Sequence, residues 1–193
     1  MARYEMRLSG SGGQGLIMAG IILAEAAGVY DGKFACQTQS YGPEARGGAS
    51  KAEVVISDEE IDYPKAIKVD LLLAMNQRSC DVYFFDLKHE GILVVDSTFV
   101  KQLPTTRAIA IPFTQIARTA LKKELVANIV ALGAIVTLTG VVSLSSLEAA
   151  VLARVPPGSE DLNRKALEAG IEAAKAFMQE KADKDLYAYS TDE

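Results

Sequence analysis

The sequence has few of the residues that enzymes commonly use for nucleophilic catalysis or metal binding. Among its 193 residues there are no tryptophans, one histidine and two cysteines. His89 lies in a polar segment, so we predict a solvated side chain there, and neither a histidine-activated nucleophile nor a multi-histidine metal site. Cys36 and Cys80 are too few for a disulfide framework or a four-cysteine iron–sulfur cluster. We expect free, buried thiols in a reducing cytosol.

Blocks of positive charge are also absent. The chain has 25 acidic and 20 basic residues, a net charge of −5, and no Lys/Arg cluster that could follow a phosphate backbone. Nucleic acid is therefore not an expected partner. The first residues alternate charged and apolar side chains and lack the apolar stretch of a secretory signal, so we expect a cytoplasmic protein.

One uncharged run, residues 125–147, approaches the length of a membrane span. It contains Asn128, two threonines and two glycines, and its ends lack basic asymmetry and aromatic belts. We therefore predict a core helix that ends near Val142, and no membrane span.

Length and composition predict one α/β domain over residues 1–182, followed by a polar and loosely held tail over residues 183–193. Hydrophobic periodicity predicts strands at 3–9, 34–40, 52–57, 69–75, 91–95 and 107–111, and helices at 15–28, 114–123, 125–142, 144–154 and after Ser159. Residues 34–40 and 52–57 are expected to form a long hairpin or a pair that extends out of the main sheet. The later strands have the pattern of strands buried on both faces of a parallel sheet.

A glycine cluster, Gly10-Ser-Gly-Gly-Gln-Gly15, follows the first strand and precedes the first helix. Gly10, Gly12 and Gly15 match the G-x-G-x-x-G pattern, which would place a pyrophosphate at a helix N-terminus. The acidic residue expected about 20 positions later is missing, because the next strand ends in Gln39-Ser40. Three interpretations remain: a dinucleotide site, close approach of another anion or backbone, and a purely structural tight turn.

A second candidate lies in the loop from Ser40 to Ser50. Arg46 carries a planar, permanently charged group that suits phosphate or carboxylate, and neighbouring glycines would expose backbone N–H groups to the same ligand. A surface ion pair between Arg46 and Glu44 explains the same residues equally well. The candidate site residues of the two segments are Gly10, Gly12, Gly13, Gln14, Gly15, Ser40, Tyr41, Gly42, Glu44, Arg46, Gly47 and Gly48.

The two segments together resemble a known family. The glycine cluster, the following Ala19-Gly-Ile-Ile-Leu-Ala-Glu-Ala-Ala27, and above all Gln37-Thr-Gln-Ser-Tyr-Gly-Pro-Glu-Ala-Arg-Gly-Gly-Ala-Ser50 are similar to the gamma subunit of 2-oxoacid:ferredoxin (acceptor) oxidoreductases. Residues 52–57 and 61–64 extend the match over nearly the whole chain. The Gln37–Ser50 segment most resembles the 2-oxoglutarate enzymes. The resemblance implies a three-layer α/β fold with a mostly parallel central sheet flanked by helices, like the gamma domain of pyruvate:ferredoxin oxidoreductase.

The resemblance also implies a function. The complex would convert 2-oxoglutarate and coenzyme A to succinyl-CoA and CO2 and reduce ferredoxin or a similar acceptor. Thiamine diphosphate would lie on the alpha and beta subunits, the iron–sulfur clusters would lie on partner subunits, and the complex would also contain Mg²⁺. A ferredoxin-like delta subunit is a further candidate partner. This chain would carry no cofactor and no catalytic residue. The glycine cluster and the Arg46 loop would lie at the active-site entrance, in the coenzyme A channel or at a subunit interface.

Other functions remain open on the sequence alone. These are the same role with pyruvate or another 2-oxoacid, a stand-alone nucleotide-binding oxidoreductase, and a scaffold that only joins catalytic subunits. The helices at 15–28 and 125–142 are apolar nearly all round, which predicts an exposed apolar surface on the isolated chain and hence association with partners.

Overall fold

The computed structural model describes residues 3–40 and 49–190, which fold around a six-stranded sheet of order β2-β3-β1-β4-β5-β6. The strands are β1 (Tyr4–Ser11), β2 (Phe34–Ser40), β3 (Ala49–Ser57), β4 (Val69–Ala74), β5 (Leu87–Asp96) and β6 (Ile109–Ile111). The helices are α1 (Leu16–Glu25), α2 (Gln77–Tyr83), α3 (Phe113–Thr119), α4 (Ala127–Thr139), α5 (Leu144–Arg154) and α6 (Glu160–Ser190).

The sheet is parallel over β1, β4, β5 and β6. β3 runs antiparallel to both β1 and β2, so β2 and β3 form a hairpin at one edge of the main sheet. The predicted three-layer α/β class with a mostly parallel sheet is confirmed. Of the two arrangements expected for residues 34–40 and 52–57, the structure shows the hairpin, within the sheet and not extending out of it.

The two faces of the sheet are covered unequally. Alternate residues of β1 point to opposite faces, as the period of a strand requires: Met6 and Leu8 enter the larger core, whereas Arg7 faces the other side. The larger core packs the sheet against α1, α4 and the helices that cover α4. A smaller core, which includes Leu72, Leu93 and Cys80, lies between β4, β5 and α2.

Helix α4 is buried inside the chain. Residues 127–136 are all buried, and α1, α3, α5 and α6 pack against this helix. Close packing of α4 against α6 depends on two glycines: a Cβ at Gly133 or at Gly170 would lie closer than 3.0 Å to backbone atoms of the other helix. Helix α6 therefore covers much of the apolar surface of α4. The exposed apolar surface expected on the isolated chain stays a prediction, because Met18 and Leu125 of the two apolar segments are exposed.

Several element ends differ from the sequence prediction. The first helix passes Gly28 and continues as a π-helical turn, Ala26–Tyr30, because Gly28 keeps an ordinary helical φ. Helix α4 ends at Gly140, whose positive φ of 61° stops it two residues before Val142. Helix α6 continues through the polar segment to Ser190, and the limits of the domain and its tail stay a prediction. Within residues 3–40 and 49–190, no helix combines the length and apolarity needed to cross a membrane.

Candidate functional site

The parallel strands β1 and β4 are neighbours in the sheet, so their carboxyl ends lie side by side. The connections that follow these two strands run in opposite directions along the sheet. After β1 the chain enters α1 on the larger-core face and continues to the hairpin on one side of β1. After β4 it enters α2 on the opposite face and continues to β5 on the other side. Such a switch point leaves a crevice at the carboxyl ends of the strands, where open α/β sheets bind ligands. Residues Gly10–Gly15, which we call the glycine turn, span the end of β1 and the connection to α1, and therefore lie at this crevice.

The glycine turn is tight and left-handed at two positions. The N–H of Gln14 donates to the carbonyl of Ser11 over 3.2 Å, which closes the turn. Gly13 has φ 90° and Gly15 has φ 72°, values that glycine adopts without steric penalty. Gly15 is the N-cap of α1 and supplies no side-chain cap, and the first turn of α1 contains no acidic residue. The N–H groups at the start of α1 are thus suited to an anion.

The four glycines of the turn differ in what a side chain at each position would meet. A Cβ at Gly10 would lie closer than 3.0 Å to the Gln14 and Leu16 side chains, and a Cβ at Gly15 would crowd Asn128 in the same way. Gly13 needs its positive φ. Gly12 has no positive φ, and a Cβ added there would meet no atom within 4 Å, so the fold of the described residues does not require glycine at this position. An open approach for a ligand or partner explains Gly12 better than packing does.

Three side-chain amides hold the turn in place. Gln14 accepts from the Ser11 N–H over 2.7 Å and donates to the Met75 carbonyl over 3.3 Å. Asn76 Nδ2 donates to Ser11 Oγ over 2.7 Å, and its Oδ1 caps α2. Asn128 Nδ2 donates to the Gly15 carbonyl over 3.0 Å. We call Gln14, Asn76 and Asn128 the amide cradle.

Sequence reasoning identified Gln14 but missed the other two members of the amide cradle. Asn76 directly follows a buried strand, and Asn128 is the one amide in a long apolar run. Those positions were the available signals, but their partners lie 65 and 113 residues away along the chain. Such long-range partners become visible only in the folded chain.

The ends of the Arg46 loop lie beside the glycine turn. Ser11 pairs in register with Ala49, and Ser40 pairs with Lys51, because β2 ends and β3 begins at the edge where β1 ends. Ser50 Oγ donates to the Gly10 carbonyl over 3.2 Å. The structure thus brings Ser40 and the glycine turn to one edge, as the sequence hypothesis requires. The other candidate residues of the loop lie outside the described residues: Tyr41, Gly42, Glu44, Arg46, Gly47 and Gly48.

A pocket of about 300 Å³ opens next to the glycine turn, on the side of α3 and α4. Its lining is Gly13, Gln14, Thr114, Glu124, Leu125 and Ala127. Glu124 is bound to Arg118 over 2.8 Å, and the hydrogen bond from Arg118 lowers the pKa of Glu124 below its ordinary value. The pocket lining therefore includes an ion-paired carboxylate and two residues of the glycine turn.

The surroundings of β1 do not favour the dinucleotide interpretation. One neighbour of β1 in the sheet is the antiparallel β3, and the parallel neighbour β4 leads into Met75-Asn76. Neither presents, at the end of a strand beside the glycine turn, the acidic side chain that would hold a ribose. This leaves the turn with the properties of an anion or backbone site.

A network of charged side chains lies on the sheet face opposite the larger core. Arg7, 3% exposed, binds Glu53, which is 7% exposed, over 2.8 Å and also binds Asp86. Lys51 binds Glu53 over 2.7 Å, and both cations lie over the Tyr83 ring. Burial by itself raises the pKa of Glu53, but the Lys51 hydrogen bond and the Arg7 and Lys51 charges outweigh it and leave that pKa below its ordinary value. Lys51 and Glu53 of this network lie near the start of β3, which follows the Arg46 loop.

Among the residues that the structure describes, the remaining titratable side chains form no cluster that could bind a metal ion. His89 is exposed and contacts Glu90 over 2.6 Å. In the part of the chain that the structure describes, no group of three or more His, Cys, Asp or Glu side chains is arranged to hold a metal ion. Cys36 is half-buried and Cys80 is fully buried, so the expectation of buried thiols holds for Cys80 alone.

The two cysteines are expected to react with thiol reagents at very different rates. Burial, together with the Asp81 charge, raises the pKa of Cys80 to about 11, so almost none of it is thiolate at pH 8. Alkylation of the native chain at pH 8, followed by mass spectrometry, should modify Cys36 well before Cys80. The unfolded chain is the control, in which both should react. Equal native rates would contradict the buried position of Cys80.

Comparisons with known proteins agree over most of the chain. The sequence profile of the family described as pyruvate ferredoxin/flavodoxin oxidoreductase matches residues 5–173. Over 177 residues, the chain is 53% identical to the 2-oxoglutarate synthase subunit KorC of Methanocaldococcus jannaschii, covering 90% of this chain and 95% of that protein.

Solved structures give the same result. The gamma subunit of a keto/oxoacid ferredoxin oxidoreductase from Geobacter sulfurreducens PCA superposes with a TM-score of 0.81 at 55% identity, over 90% of this chain and 99% of that chain. A 2-oxoglutarate:ferredoxin oxidoreductase from Magnetococcus marinus, solved with 2-oxoglutarate, coenzyme A and succinyl-CoA bound, superposes with a TM-score of 0.80. It is 24% identical, and the match covers 91% of this chain and 32% of that chain, which shows a shared fold.

Proposed function

Because the chain belongs to the pyruvate ferredoxin/flavodoxin oxidoreductase family, we propose that it is the gamma subunit of a 2-oxoglutarate:ferredoxin (acceptor) oxidoreductase. The reaction takes 2-oxoglutarate and coenzyme A to succinyl-CoA, CO2, one proton and two electrons, and the electrons pass to ferredoxin or a similar acceptor. The similarity to a 2-oxoglutarate synthase subunit at 53% identity supports this choice of 2-oxoacid.

The chemistry of the reaction belongs, in this proposal, to partner subunits. Thiamine diphosphate with Mg²⁺ would supply decarboxylation, and iron–sulfur clusters would supply electron transfer, on alpha and beta subunits and a ferredoxin-like delta subunit. The described residues of this chain do not fit such groups, since Cys36 and Cys80 lie on different elements and no metal-binding cluster is present among those residues. We therefore assign this chain no catalytic step.

The part that we assign to this chain is an approach for coenzyme A at the switch point. Gly12 supports this assignment most directly, because the described fold leaves the space beside it empty and does not need glycine there. The uncapped N-terminus of α1 and the turn N–H groups suit a phosphate, and the loop that carries Arg46 starts and ends at the same edge. Coenzyme A carries phosphates that such donors bind.

Replacement of Gly12 by valine tests this assignment. A Cβ at this position meets no described atom within 4 Å and the φ of Gly12 is not positive, so we expect the fold and the melting temperature to be unchanged. The KM for coenzyme A in the complete enzyme should rise roughly tenfold, the effect of losing one hydrogen bond to a charged group, while the KM for 2-oxoglutarate stays constant. Steady-state kinetics with each substrate varied in turn would measure both.

Gly28→Ala is the matched control, because Gly28 also has an ordinary φ and a Cβ there meets only ordinary contacts of 3.6 Å or more. It should change neither KM. An unchanged KM for coenzyme A in Gly12→Val would contradict the coenzyme A assignment. Loss of subunit assembly in the same variant would show that Gly12 instead contacts a partner subunit.

The enzyme activity itself is tested by co-purification. Affinity purification of this chain from its native source should recover alpha and beta subunits and coenzyme A-dependent reduction of an acceptor by 2-oxoglutarate. Pyruvate and branched 2-oxoacids assayed in parallel decide the substrate. If one of these 2-oxoacids is turned over faster than 2-oxoglutarate, it is the substrate in place of 2-oxoglutarate. Activity of this chain without partner subunits would contradict the subunit role.

A further inference from the structure

Asn128 is the one amide side chain in a helix that is otherwise built from apolar residues and small groups. It lies near the start of α4 and is 6% exposed, inside a stretch of ten consecutive buried residues. Burying an amide is unfavourable unless its donors and acceptors are paired. Both ends of this amide are paired: Oδ1 accepts from the Ile129 N–H over 2.9 Å, and Nδ2 donates to the Gly15 carbonyl over 3.0 Å.

This pairing defines the orientation of the Asn128 amide. An exchange of Oδ1 and Nδ2 would bring an oxygen against the Gly15 carbonyl and an NH2 against the Ile129 N–H, and would lose both hydrogen bonds. The donor is therefore directed at Gly15. The Gly15 carbonyl also accepts from the Ala19 N–H over 3.0 Å, so two donors hold it in place.

The fixed carbonyl also fixes the next N–H group. The peptide bond is planar and trans, so the Gly15 carbonyl and the Leu16 N–H point in opposite directions. Because the carbonyl points into the protein toward α4 and along α1, the Leu16 N–H points out of the helix start toward the glycine turn. The orientation of this donor thus depends on a side chain of α4, 113 residues away in the sequence.

We propose that Asn128 is a positioning residue for coenzyme A, which orients the Leu16 N–H toward a phosphate of the bound molecule. This inference rests on the proposed function. Asn128 does not touch coenzyme A; it acts through Gly15 and the Leu16 N–H. Preorientation of the donors lowers the entropy that binding would otherwise have to remove.

The test compares Asn128→Ala and Asn128→Ser with Thr137→Val in the complete enzyme. Thr137 lies on the same helix and donates a side-chain hydrogen bond to the Gly133 carbonyl over 2.8 Å, away from the glycine turn. The control therefore removes a side-chain-to-backbone hydrogen bond from α4 without affecting the glycine turn. The Asn128 variants should raise the KM for coenzyme A roughly three- to tenfold with kcat and the KM for 2-oxoglutarate unchanged, and Thr137→Val should leave all three unchanged.

Amide exchange gives a second measurement that does not depend on turnover. Coenzyme A should slow exchange at residues 12–17 of the wild-type complex, and this protection should weaken in the Asn128 variants but persist in Thr137→Val. Asn128→Ser provides the measurement if Asn128→Ala does not assemble. A melting temperature that falls without a change in KM or in protection would show a purely structural role and overturn the proposal.

The Gly12→Val result separates this proposal from the one on which it rests. If Gly12→Val raises the KM for coenzyme A and the Asn128 variants do not, the positioning role is wrong and the coenzyme A site stands. If neither change raises it, the site assignment itself is wrong. If both do, the two proposals are supported together.

Discussion

Replacement of Gly170 by valine is expected to lower the free energy of unfolding by about 3 kcal/mol or more. A Cβ at this position would lie closer than 3.0 Å to the carbonyl of Val130, and backbone atoms cannot move aside as the end of a flexible side chain can. The α4 and α6 helices would have to separate, which opens voids around α4 in the larger core. Urea unfolding followed by circular dichroism would measure the loss.

For the smaller substitution Gly170→Ala, the direction of the change in the free energy of unfolding is informative. At an exposed helix position, glycine to alanine stabilises a helix by about 1 kcal/mol. At Gly170 the same change should destabilise the chain, because even one methyl group meets backbone. Glu172→Ala, on an exposed position of the same helix, is the control and should change stability little. A Gly170→Ala variant as stable as the wild type would show that α4 and α6 do not approach so closely.

Replacement of Arg7 by methionine is expected to destabilise the chain by about 3–5 kcal/mol, because it leaves Glu53 buried without its charge partner on β1. Lys51 remains beside Glu53 but is itself partly exposed, and Asp86 can turn to solvent. The variant that replaces both Arg7 and Glu53 by methionine should be more stable than Arg7→Met alone, since no uncompensated buried charge remains. Thermal and urea unfolding of the wild type and both variants would measure this.

The pH dependence of stability provides a check on the same network. The pKa of Glu53 is lowered on folding, so its ionised form contributes stability above the ordinary carboxyl pKa of about 4.3, and this contribution disappears as the pH falls through the lowered value. The free energy of unfolding should fall in that acid range. In Arg7→Met the fall should be smaller. An equal acid-induced fall in the free energy of unfolding of the wild type and of Arg7→Met would contradict the assigned role of the Arg7–Glu53 pair. A double variant that is less stable than Arg7→Met would also contradict it.

Local patterns predicted much of the fold. The strand Phe34–Ser40 and the helix Leu144–Arg154 have the predicted limits, because alternation and capping residues are properties of neighbouring positions. The glycine turn was recognised because four glycines in six residues are unusual before a helix. The family inferred from this turn and from the Gln37–Ser50 segment is confirmed by the comparisons.

Long-range packing was not predictable in the same way. The apolar pattern of residues 125–142 indicates a core helix but not that α6 packs on it, and this packing depends on Gly170. The network around Arg7 joins strands that only the sheet order brings together. The amide cradle was missed for the same reason, since each amide is an isolated polar residue in the sequence until its partner is placed.

The contact between Gly15 and Asn128 restricts the evolutionary order of substitutions at these two positions. The Asn128 amide occupies the space that a Cβ at position 15 would fill, and the backbone at position 15 is left-handed. While the asparagine is present, a side chain at position 15 is destabilising for two reasons, the contact with the amide and the positive φ. After a smaller residue has replaced Asn128, only the positive φ disfavours it. The two sites are epistatic, and lineages of this chain should lose the asparagine before the glycine.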